Sequence, residues 1–116
     1  MGEQIDAFNR FREEMNGRIL AEDNQVIRRF FALDTQAYRA GQLDEATKEL
    51  LGLSASMVLR CDDCIRYHLQ RCFETGVPRA AVLECFSVAL VVGGSIVIPH
   101  LRRALAFWDE LEADKG

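Results

Sequence analysis

The sequence predicts a single all-α domain, a bundle of about six helices, and three features of the chain lead to this prediction. Apolar residues recur every three or four positions along most of the chain, which is the period of an amphipathic helix. No stretch alternates apolar and polar residues strictly enough to require a β-strand. The length of 116 residues suits one domain, residues 1–116, that buries its own core.

Two amphipathic helices are predicted between residues 4 and 40. The first carries an apolar stripe opposite a charged face. Asn24 has a side chain suited to a helix N-cap and begins the second helix, which Gly41 ends. The stripe of the first helix consists of Ile5, Phe8, Phe11, Met15 and Ile19.

Two further helices follow a turn. Asp44 is predicted to cap a helix that reaches Val58, and the chain then breaks near Arg60. The next helix is predicted to run from about Asp62 to Glu74. Gly76 follows it and supplies the positive φ of a C-terminal cap.

The last two predicted helices differ in character. Pro78 suits the first turn of one helix, and residues 80–92 are apolar almost all round, which predicts burial on every side. A membrane span is the competing interpretation, but the run is shorter than the roughly 20 residues that a bilayer requires, and it contains Glu84. The final helix is predicted to begin near Pro99 and to extend to about Leu111.

The charge balance argues against a nucleic-acid partner. The net charge is −4 at pH 7, and arginines scattered among acids do not form the basic face that phosphate binding requires. The N-terminus lacks a basic segment followed by an apolar run, so we expect no secretory signal, no membrane association and a cytoplasmic location. In that compartment the four cysteines are expected to be reduced, and to be catalytic or metal-binding.

The chemistry is predicted to lie in one short segment. Cys61, Cys64, His68 and Cys72 follow one another at spacings of three, four and four, which places them on one face of a helix. Backbone amides and the helix dipole favour a thiolate at Cys61, whereas His68 lies one turn from Cys64 and can accept that thiol's proton. We take Cys64 as the nucleophile, because a positioned base acts more specifically than a dipole shared by the whole first turn.

Three interpretations of this segment stay open on spacing alone. A redox-active dithiol is favoured over a zinc site, because one helical stripe does not easily wrap four donors around an ion. Buried cysteines without a chemical role are the third interpretation. Cys72 and Cys85 lie among apolar residues and are assigned to the core. His100 is assigned to a cap or to the surface, and Glu49 to a solvated helix face.

A wider pattern surrounds the two cysteines. Glu49 precedes Cys61 by twelve residues, and His68 follows Cys64 by four. With the later Gly93–Gly94–Ser95 segment, this pattern resembles the carboxymuconolactone decarboxylase family, specifically its alkylhydroperoxidase D-like branch, over roughly residues 44–111. The resemblance implies an all-helical fold and a homo-oligomer. A hexamer arranged as a trimer of dimers is preferred, and a trimer is the alternative.

The resemblance also implies a role for each residue. Cys64 is expected to meet the peroxide, Cys61 to resolve the oxidised Cys64, and Glu49 with His68 to relay the proton that leaves the thiol. The leading hypothesis is therefore a thiol-dependent peroxidase with no cofactor and no metal. Its partners are expected to be a hydroperoxide substrate and an unidentified thiol protein that acts as reductant.

One residue departs from the family pattern. The best-known peroxidases of this family carry a histidine just before the second cysteine, where this chain has Asp63, an acid that disfavours a neighbouring thiolate. Peroxidase activity is therefore expected to be weaker. A general dithiol–disulfide reductase or adaptor is the first alternative function, and a zinc-binding structural module is the second.

Overall fold

The computed structural model describes residues 2–115, and it confirms the predicted all-α class. Within these residues the chain forms six α-helices and one short 3₁₀ turn, and no strand. The helices are α1 (Glu3–Leu20), α2 (Gln25–Ala37), α3 (Glu45–Val58), α4 (Asp62–Glu74), α5 (Arg79–Gly93) and α6 (Ile98–Lys115), and the 3₁₀ turn is Ser95–Val97.

The predicted helix caps are confirmed in three places. The side chains of Asn24 and Asp44 accept hydrogen bonds from the backbone amides of residues 27 and 47, at 3.0 and 2.8 Å. Gly76 has φ of 83° and ends α4 as predicted. Pro78 differs from its prediction, because it precedes α5 as the N-cap and does not lie within the first turn. The second helix also ends earlier than predicted, at Ala37.

Five helices enclose the core. α3 packs against α4 and α5, α4 also packs against α6, and α1 lies against α6. Two edge-to-face aromatic pairs strengthen these contacts: Phe73 with Trp108, and Phe8 with Phe107, at centroid distances of 5.5 and 6.0 Å. This arrangement places the inner faces of α3 and α4 opposite each other, which is where the predicted site residues lie.

The prediction that α5 is buried on every side is wrong for the single chain. Only Val82, Phe86 and Ala89 of this helix are buried, because just one stripe faces the core. The opposite face is open to solvent, and Val91 is 86 % exposed. Among residues 2–115 no helix has the length and the apolar composition that crossing a membrane would require.

The second helix has an unpartnered apolar stripe. α2 buries none of its residues, and Val26, Phe30 and Leu33, which lie on one face at helical spacing, are 75 %, 68 % and 61 % exposed. The C-terminal end of α2 is held by Lys48 on α3, whose Nζ donates to the carbonyl oxygens of residues 37 and 39 at 3.0 and 2.7 Å. The helix is therefore fixed at its end, while its apolar middle has no partner among residues 2–115.

Candidate active site

The turn between α3 and α4 determines where the first cysteine lies. Arg60 adopts a left-handed conformation, with φ of 61°. Its amide donates to the carbonyl of Met57, and the amide of Cys61 donates to the carbonyl of Ser56, both at 3.0 Å. This is a Schellman arrangement, in which two otherwise unpaired helix carbonyls are satisfied. As a result α3 ends and α4 begins within three residues, and Cys61 becomes the N-cap of α4.

The two cysteines of the C-x-x-C segment are joined as a disulfide. Cys61 and Cys64 have Cα atoms 5.3 Å apart. Cys64 is exposed and Cys61 is half-buried. The amide of Cys64 donates to Sγ of Cys61 at 3.3 Å, a contact that favours negative charge on the Cys61 sulfur. Of the two effects weighed from the sequence, the structure therefore contains the one that acts on Cys61.

Glu49 and His68 meet in the interior between α3 and α4. Nδ1 of His68 lies 2.8 Å from Oε1 of Glu49, and the two residues are only 7 % and 1 % exposed. The other carboxylate oxygen of Glu49 lies 3.5 Å from Nε of Arg71. A buried carboxylate needs such partners, because desolvating an unpaired charge is costly. The assignment of Glu49 to a solvated helix face is therefore wrong.

Tyr38 holds the second ring nitrogen of His68. Its hydroxyl oxygen lies 3.4 Å from Nε2, and the two rings have centroids 5.2 Å apart. Burial raises the pKa of the Tyr38 hydroxyl, and the carboxylates of Asp34 and Glu49 raise this pKa further. The phenol therefore stays protonated. Because Nδ1–H of His68 donates to the Glu49 carboxylate, Nε2 is left as the acceptor and Tyr38 donates to it.

Gly52 makes the contact between Tyr38 and His68 sterically possible. A Cβ atom added at Gly52 would lie 2.6 Å from Cε1 of His68, and 2.8 Å from both Nε2 of His68 and the hydroxyl oxygen of Tyr38. Sequence reasoning missed both residues. For Gly52 a signal existed, since a glycine inside a helix often marks close packing. For Tyr38, thirty positions from His68, the sequence carries no comparable signal.

A cavity of about 310 Å³ is lined by both Cys64 and His68. Tyr67 also lines it, with its ring edge-on to His68 at a centroid distance of 5.3 Å. The guanidinium of Arg12, from α1, lies 4.2 Å from the centre of the Tyr67 ring, a cation–π contact that covers one wall. A small molecule in this cavity would touch the sulfur and the imidazole at once.

The two acids beside the cysteines have different environments. Asp62 is bound by Nδ1 of His100 at 2.8 Å and by Nε of Arg103 at 3.1 Å, both from α6. Partial burial alone would raise the pKa of the Asp62 carboxyl, but the His100 hydrogen bond and the Arg103 charge bring it below its ordinary value. Asp63 has an exposed side chain, 3.6 Å from Arg66. The negative charge of Asp62 is therefore largely offset, whereas the negative charge of Asp63 is offset only weakly, by Arg66.

Cys72 and Cys85 lie apart from this chemistry. Cys72 is fully buried, and burial raises the pKa of its thiol to about 12. Cys85 is half-buried, its thiol donates to the carbonyl of Leu50 at 3.4 Å, and burial raises its pKa to about 11. Within residues 2–115, no three or more His, Cys, Asp or Glu side chains are grouped so that they would hold a metal ion. The zinc interpretation therefore gains no support from the described part of the chain.

Comparison with known proteins identifies relatives in several bacteria. The chain is 52 % identical to a carboxymuconolactone decarboxylase family protein from Thermotoga maritima, whose description suggests involvement in an antioxidative response. The match covers 94 % of this chain and 92 % of that one, with a TM-score of 0.91. A family protein from Legionella pneumophila, 23 % identical over 94 % of this chain and 97 % of its own, shares the fold with a TM-score of 0.85. Uncharacterized protein 4 in the cox locus of Paracoccus denitrificans is 29 % identical over 72 % of this chain and 75 % of its own length.

The family model for carboxymuconolactone decarboxylases matches residues 24–107, which include α2 to α5 and more than half of α6. The match therefore contains every residue that lines the Glu49–His68 contact and both cysteines of the disulfide. The chain belongs to the carboxymuconolactone decarboxylase family, and its C-x-x-C with Glu49 and His68 identifies it as a member of the alkylhydroperoxidase D-like branch.

Proposed function

We propose that this protein is a thiol-dependent peroxidase in which Cys61 and Cys64 cycle between dithiol and disulfide. The observation that carries the proposal is the shared cavity, because exposed Cys64 and the Glu49-paired His68 both line it. A hydroperoxide in this cavity would reach a sulfur atom and a buried base together. The similar Thermotoga maritima protein, described in connection with an antioxidative response, supports the same class of function.

The proposed cycle has three balanced steps. The Cys64 thiol gives its proton to His68, the thiolate attacks the terminal oxygen of the hydroperoxide, and the O–O bond breaks. The departing alkoxide takes up the proton and leaves as an alcohol, while Cys64 becomes a sulfenic acid. The Cys61 thiol then displaces water from this sulfenic acid and forms the disulfide. Two thiols of an external reductant reopen it and become a disulfide themselves.

Cys64 is the proposed nucleophile, and two observations support this assignment. Cys64 is the exposed member of the pair and lines the cavity, whereas Cys61 is half-buried at the helix N-cap. The amide that donates to Sγ of Cys61 favours a thiolate there, which suits a resolving thiol that attacks the sulfenic acid. Glu49 supports the reaction through His68, so it is a positioning residue.

Two serine variants test the assignment. Cys64→Ser is expected to abolish hydroperoxide consumption, because a serine hydroxyl is not appreciably ionised near neutral pH. Cys61→Ser is expected to react once and to leave a sulfenic acid on Cys64 that dimedone traps, after which turnover stops. Trapping on Cys61 in the Cys64→Ser protein, at the full first-turnover rate, would reverse the two roles.

A general dithiol–disulfide reductase or adaptor is the second candidate function. The exposed carboxylate of Asp63 stands directly before Cys64, and a nearby negative charge disfavours the thiolate that attacks a peroxide. Exchange with a disulfide also begins from a thiolate, and the exposure of Cys64 leaves it accessible to the disulfide of another protein. Comparing the initial rates on a hydroperoxide and on a small aromatic disulfide separates the two candidates.

We also propose that the protein is a homo-oligomer, with a hexamer built as a trimer of dimers preferred over a trimer. The single chain exposes 7481 Å², against about 6,400 Å² for a compact monomer of this mass. Exposed apolar residues are concentrated on α2 and α5, and such faces usually mark an interface. The largest exposures on these faces belong to Val26, Phe30 and Leu33 of α2 and to Val88, Val91 and Val92 of α5.

Two further expectations stay predictions. They are the cytoplasmic location and the thiol protein that acts as reductant.

A further inference from the structure

In the disulfide form both ring nitrogens of His68 are occupied, and neither contacts a cysteine. Nδ1 is held by Glu49 at 2.8 Å, and Nε2 is held by Tyr38 at 3.4 Å. Because Nδ1–H of His68 donates to Glu49, Nε2 is the nitrogen that must accept the proton of Cys64 in the proposed cycle. The hydroxyl of Tyr38 therefore occupies the position on His68 that the chemistry requires.

We propose that Tyr38 is a redox-linked positioning residue: its hydroxyl holds Nε2 of His68 while Cys61 and Cys64 are joined, and yields it to the Cys64 thiol on reduction. This inference rests on the proposed function, since it requires the two cysteines to cycle. The disulfide has no proton to offer Nε2, so Tyr38 satisfies a nearly buried acceptor in that state. The dithiol supplies its own donor, and Tyr38 is then no longer needed at Nε2.

Three features of the contact fit an exchange between two donors. The oxygen–nitrogen distance of 3.4 Å is longer than a typical strong hydrogen bond, so it is easily replaced. Tyr38 is the C-cap residue of α2 and is only half-buried, so its side chain is not locked in the core. Gly52 leaves the space in which the two groups meet, since any Cβ there would collide with both.

The position of Tyr38 makes it a holder of the imidazole and not a reactant. Tyr38 lines a separate cavity of about 260 Å³, together with Glu49 and Tyr67. It does not line the cavity that Cys64 and His68 share. The phenol therefore approaches Nε2 from outside the cavity that Cys64 and His68 share, and it influences Cys64 only through the imidazole.

The proposal predicts a direction for the thiol–disulfide equilibrium. In Tyr38→Phe the disulfide form loses the donor to Nε2, while the dithiol form keeps the Cys64 thiol as a donor. One hydrogen bond has a net value of about 1 kcal/mol, which corresponds to about a fivefold change in an equilibrium constant. Tyr38→Phe is therefore expected to favour the dithiol about fivefold. Because the Tyr38 hydroxyl no longer competes for Nε2 of His68, the Cys64 thiol is also expected to react with iodoacetamide at lower pH.

Charged groups that face His68 come from four helices and are unchanged by this substitution. They are Arg12 on α1, Asp34 on α2, Glu49 on α3, and Asp63 and Arg71 on α4. Any shift in the equilibrium or in the alkylation profile of Tyr38→Phe therefore reports the lost hydroxyl. The ring itself remains, so its packing against the imidazole is preserved.

The test equilibrates the full-length protein in glutathione buffers of graded redox ratio, where two glutathione thiols reduce the disulfide and leave as glutathione disulfide. Reduced and oxidised protein are counted by alkylation and mass spectrometry. Thr35→Val is the matched control, because it removes a hydroxyl one turn earlier on α2 that bonds only to the backbone of its own helix. The expected result is a shift toward the dithiol in Tyr38→Phe and none in Thr35→Val.

Three outcomes would overturn the inference. An unchanged equilibrium, or a shift toward the disulfide, would show that Tyr38 does not hold Nε2 selectively in the oxidised state. If Cys64 of Tyr38→Phe is alkylated only at higher pH than in the wild type, the Tyr38 hydroxyl supports the protonated imidazole instead. If Cys61 and Cys64 of the wild-type protein never respond to glutathione, both this inference and the proposed function fail. If they respond and only the effect of Tyr38→Phe is missing, this inference fails alone.

A measurement on the wild-type protein covers the case in which Tyr38→Phe folds poorly. Nitrogen NMR of the disulfide form is expected to find His68 with its proton on Nδ1 and an unprotonated Nε2 that accepts from the Tyr38 hydroxyl. On reduction the hydroxyl contact to Nε2 is expected to disappear. A disulfide form with its proton on Nε2 would contradict the inference directly.

Discussion

Nδ1 of His68 lies 2.8 Å from Oε1 of Glu49, inside the protein and between two different helices. This contact determines which nitrogen of the imidazole is left to accept a proton, because Nδ1–H donates to the carboxylate. In the proposed cycle it would also stabilise the charged imidazole that forms when Cys64 is deprotonated. The proposal therefore makes the reactivity of an exposed sulfur depend on a carboxylate that is 1 % exposed.

The first prediction concerns Glu49. In Glu49→Gln the imidazole loses its anionic partner, so it becomes a weaker base and the Cys64 thiolate forms at higher pH. We expect the rate of the first turnover with hydroperoxide to fall by about tenfold near neutral pH. Its pH profile is expected to move upward.

Glu45→Gln is the matched control for this variant. Glu45 lies one turn earlier on the same helix and shares Arg71 with Glu49, but its side chain is 47 % exposed and it does not contact His68. Stopped-flow rates over a range of pH compare the two variants. Equal profiles for Glu49→Gln and Glu45→Gln would remove Glu49 from the reaction.

The second prediction concerns Gly52. A methyl group at this position would lie 2.6 Å from His68, so Gly52→Ala is expected to displace the imidazole without removing any reacting group. A displacement on the order of 1 Å can lower a rate by about a hundredfold. The first-turnover rate is expected to fall by tenfold to a hundredfold, while the helical circular dichroism is retained.

Gly17→Ala is the control for adding a methyl group to a helix. Nothing lies within 4 Å of a Cβ atom at Gly17, so this change is expected to stabilise α1 by up to about 1 kcal/mol. Thermal unfolding measures this gain, and the peroxide rate should not change. Full activity in Gly52→Ala would show that the packing of His68 against α3 is not required.

The third prediction concerns the two remaining cysteines and follows from their raised thiol pKa values. A pKa raised to about 12 for Cys72 and about 11 for Cys85 means that thiolate appears only at more alkaline pH. At pH 8 only about one Cys72 side chain in ten thousand would be ionised. Iodoacetamide is therefore expected to label Cys61 and Cys64 of the native reduced protein, and all four cysteines after unfolding. Rapid native labelling of Cys72 would contradict the buried environment.

The fourth prediction concerns assembly. Phe30 lies at the centre of the exposed stripe on α2, so Phe30→Glu would place a charge in the proposed interface. Light scattering is expected to find a wild-type mass that is a multiple of 13.1 kDa and a smaller mass for this variant. Gln25→Glu adds the same charge to α2 away from the stripe and is expected to leave the mass unchanged. A wild-type monomer would contradict the proposal.

The sequence predicted the helices well because their signals are local. Asn24, Asp44 and Gly76 determine helix ends through their own side chains or backbone conformation, and apolar spacing identifies the amphipathic faces, although the face of α2 is not buried. The burial of α5 was predicted wrongly, because composition does not reveal which faces of a helix its own chain can cover. An apolar face left for another copy has the same pattern as one packed on the core.

Prediction of the candidate site succeeded for residues linked by fixed spacing and failed for those linked only in space. His68 was found through its helical spacing from Cys64. Glu49 was found through the spacing of a known family, whereas helical position alone had assigned it to solvent. Tyr38 reaches His68 through the turn that follows α2, and no local pattern records that path. The contacts of Asp62 with His100 and Arg103 also leave no local pattern, because these partners come from a helix that begins 36 residues later.

The central claim is that a hydroperoxide converts the dithiol of Cys61 and Cys64 into a disulfide, and counting thiols tests it most directly. The fully reduced, unfolded protein is expected to show four thiols. After one equivalent of hydroperoxide acts on the native protein, two are expected to remain, and dithiothreitol should restore the other two. Four thiols remaining after exposure to peroxide would contradict the account.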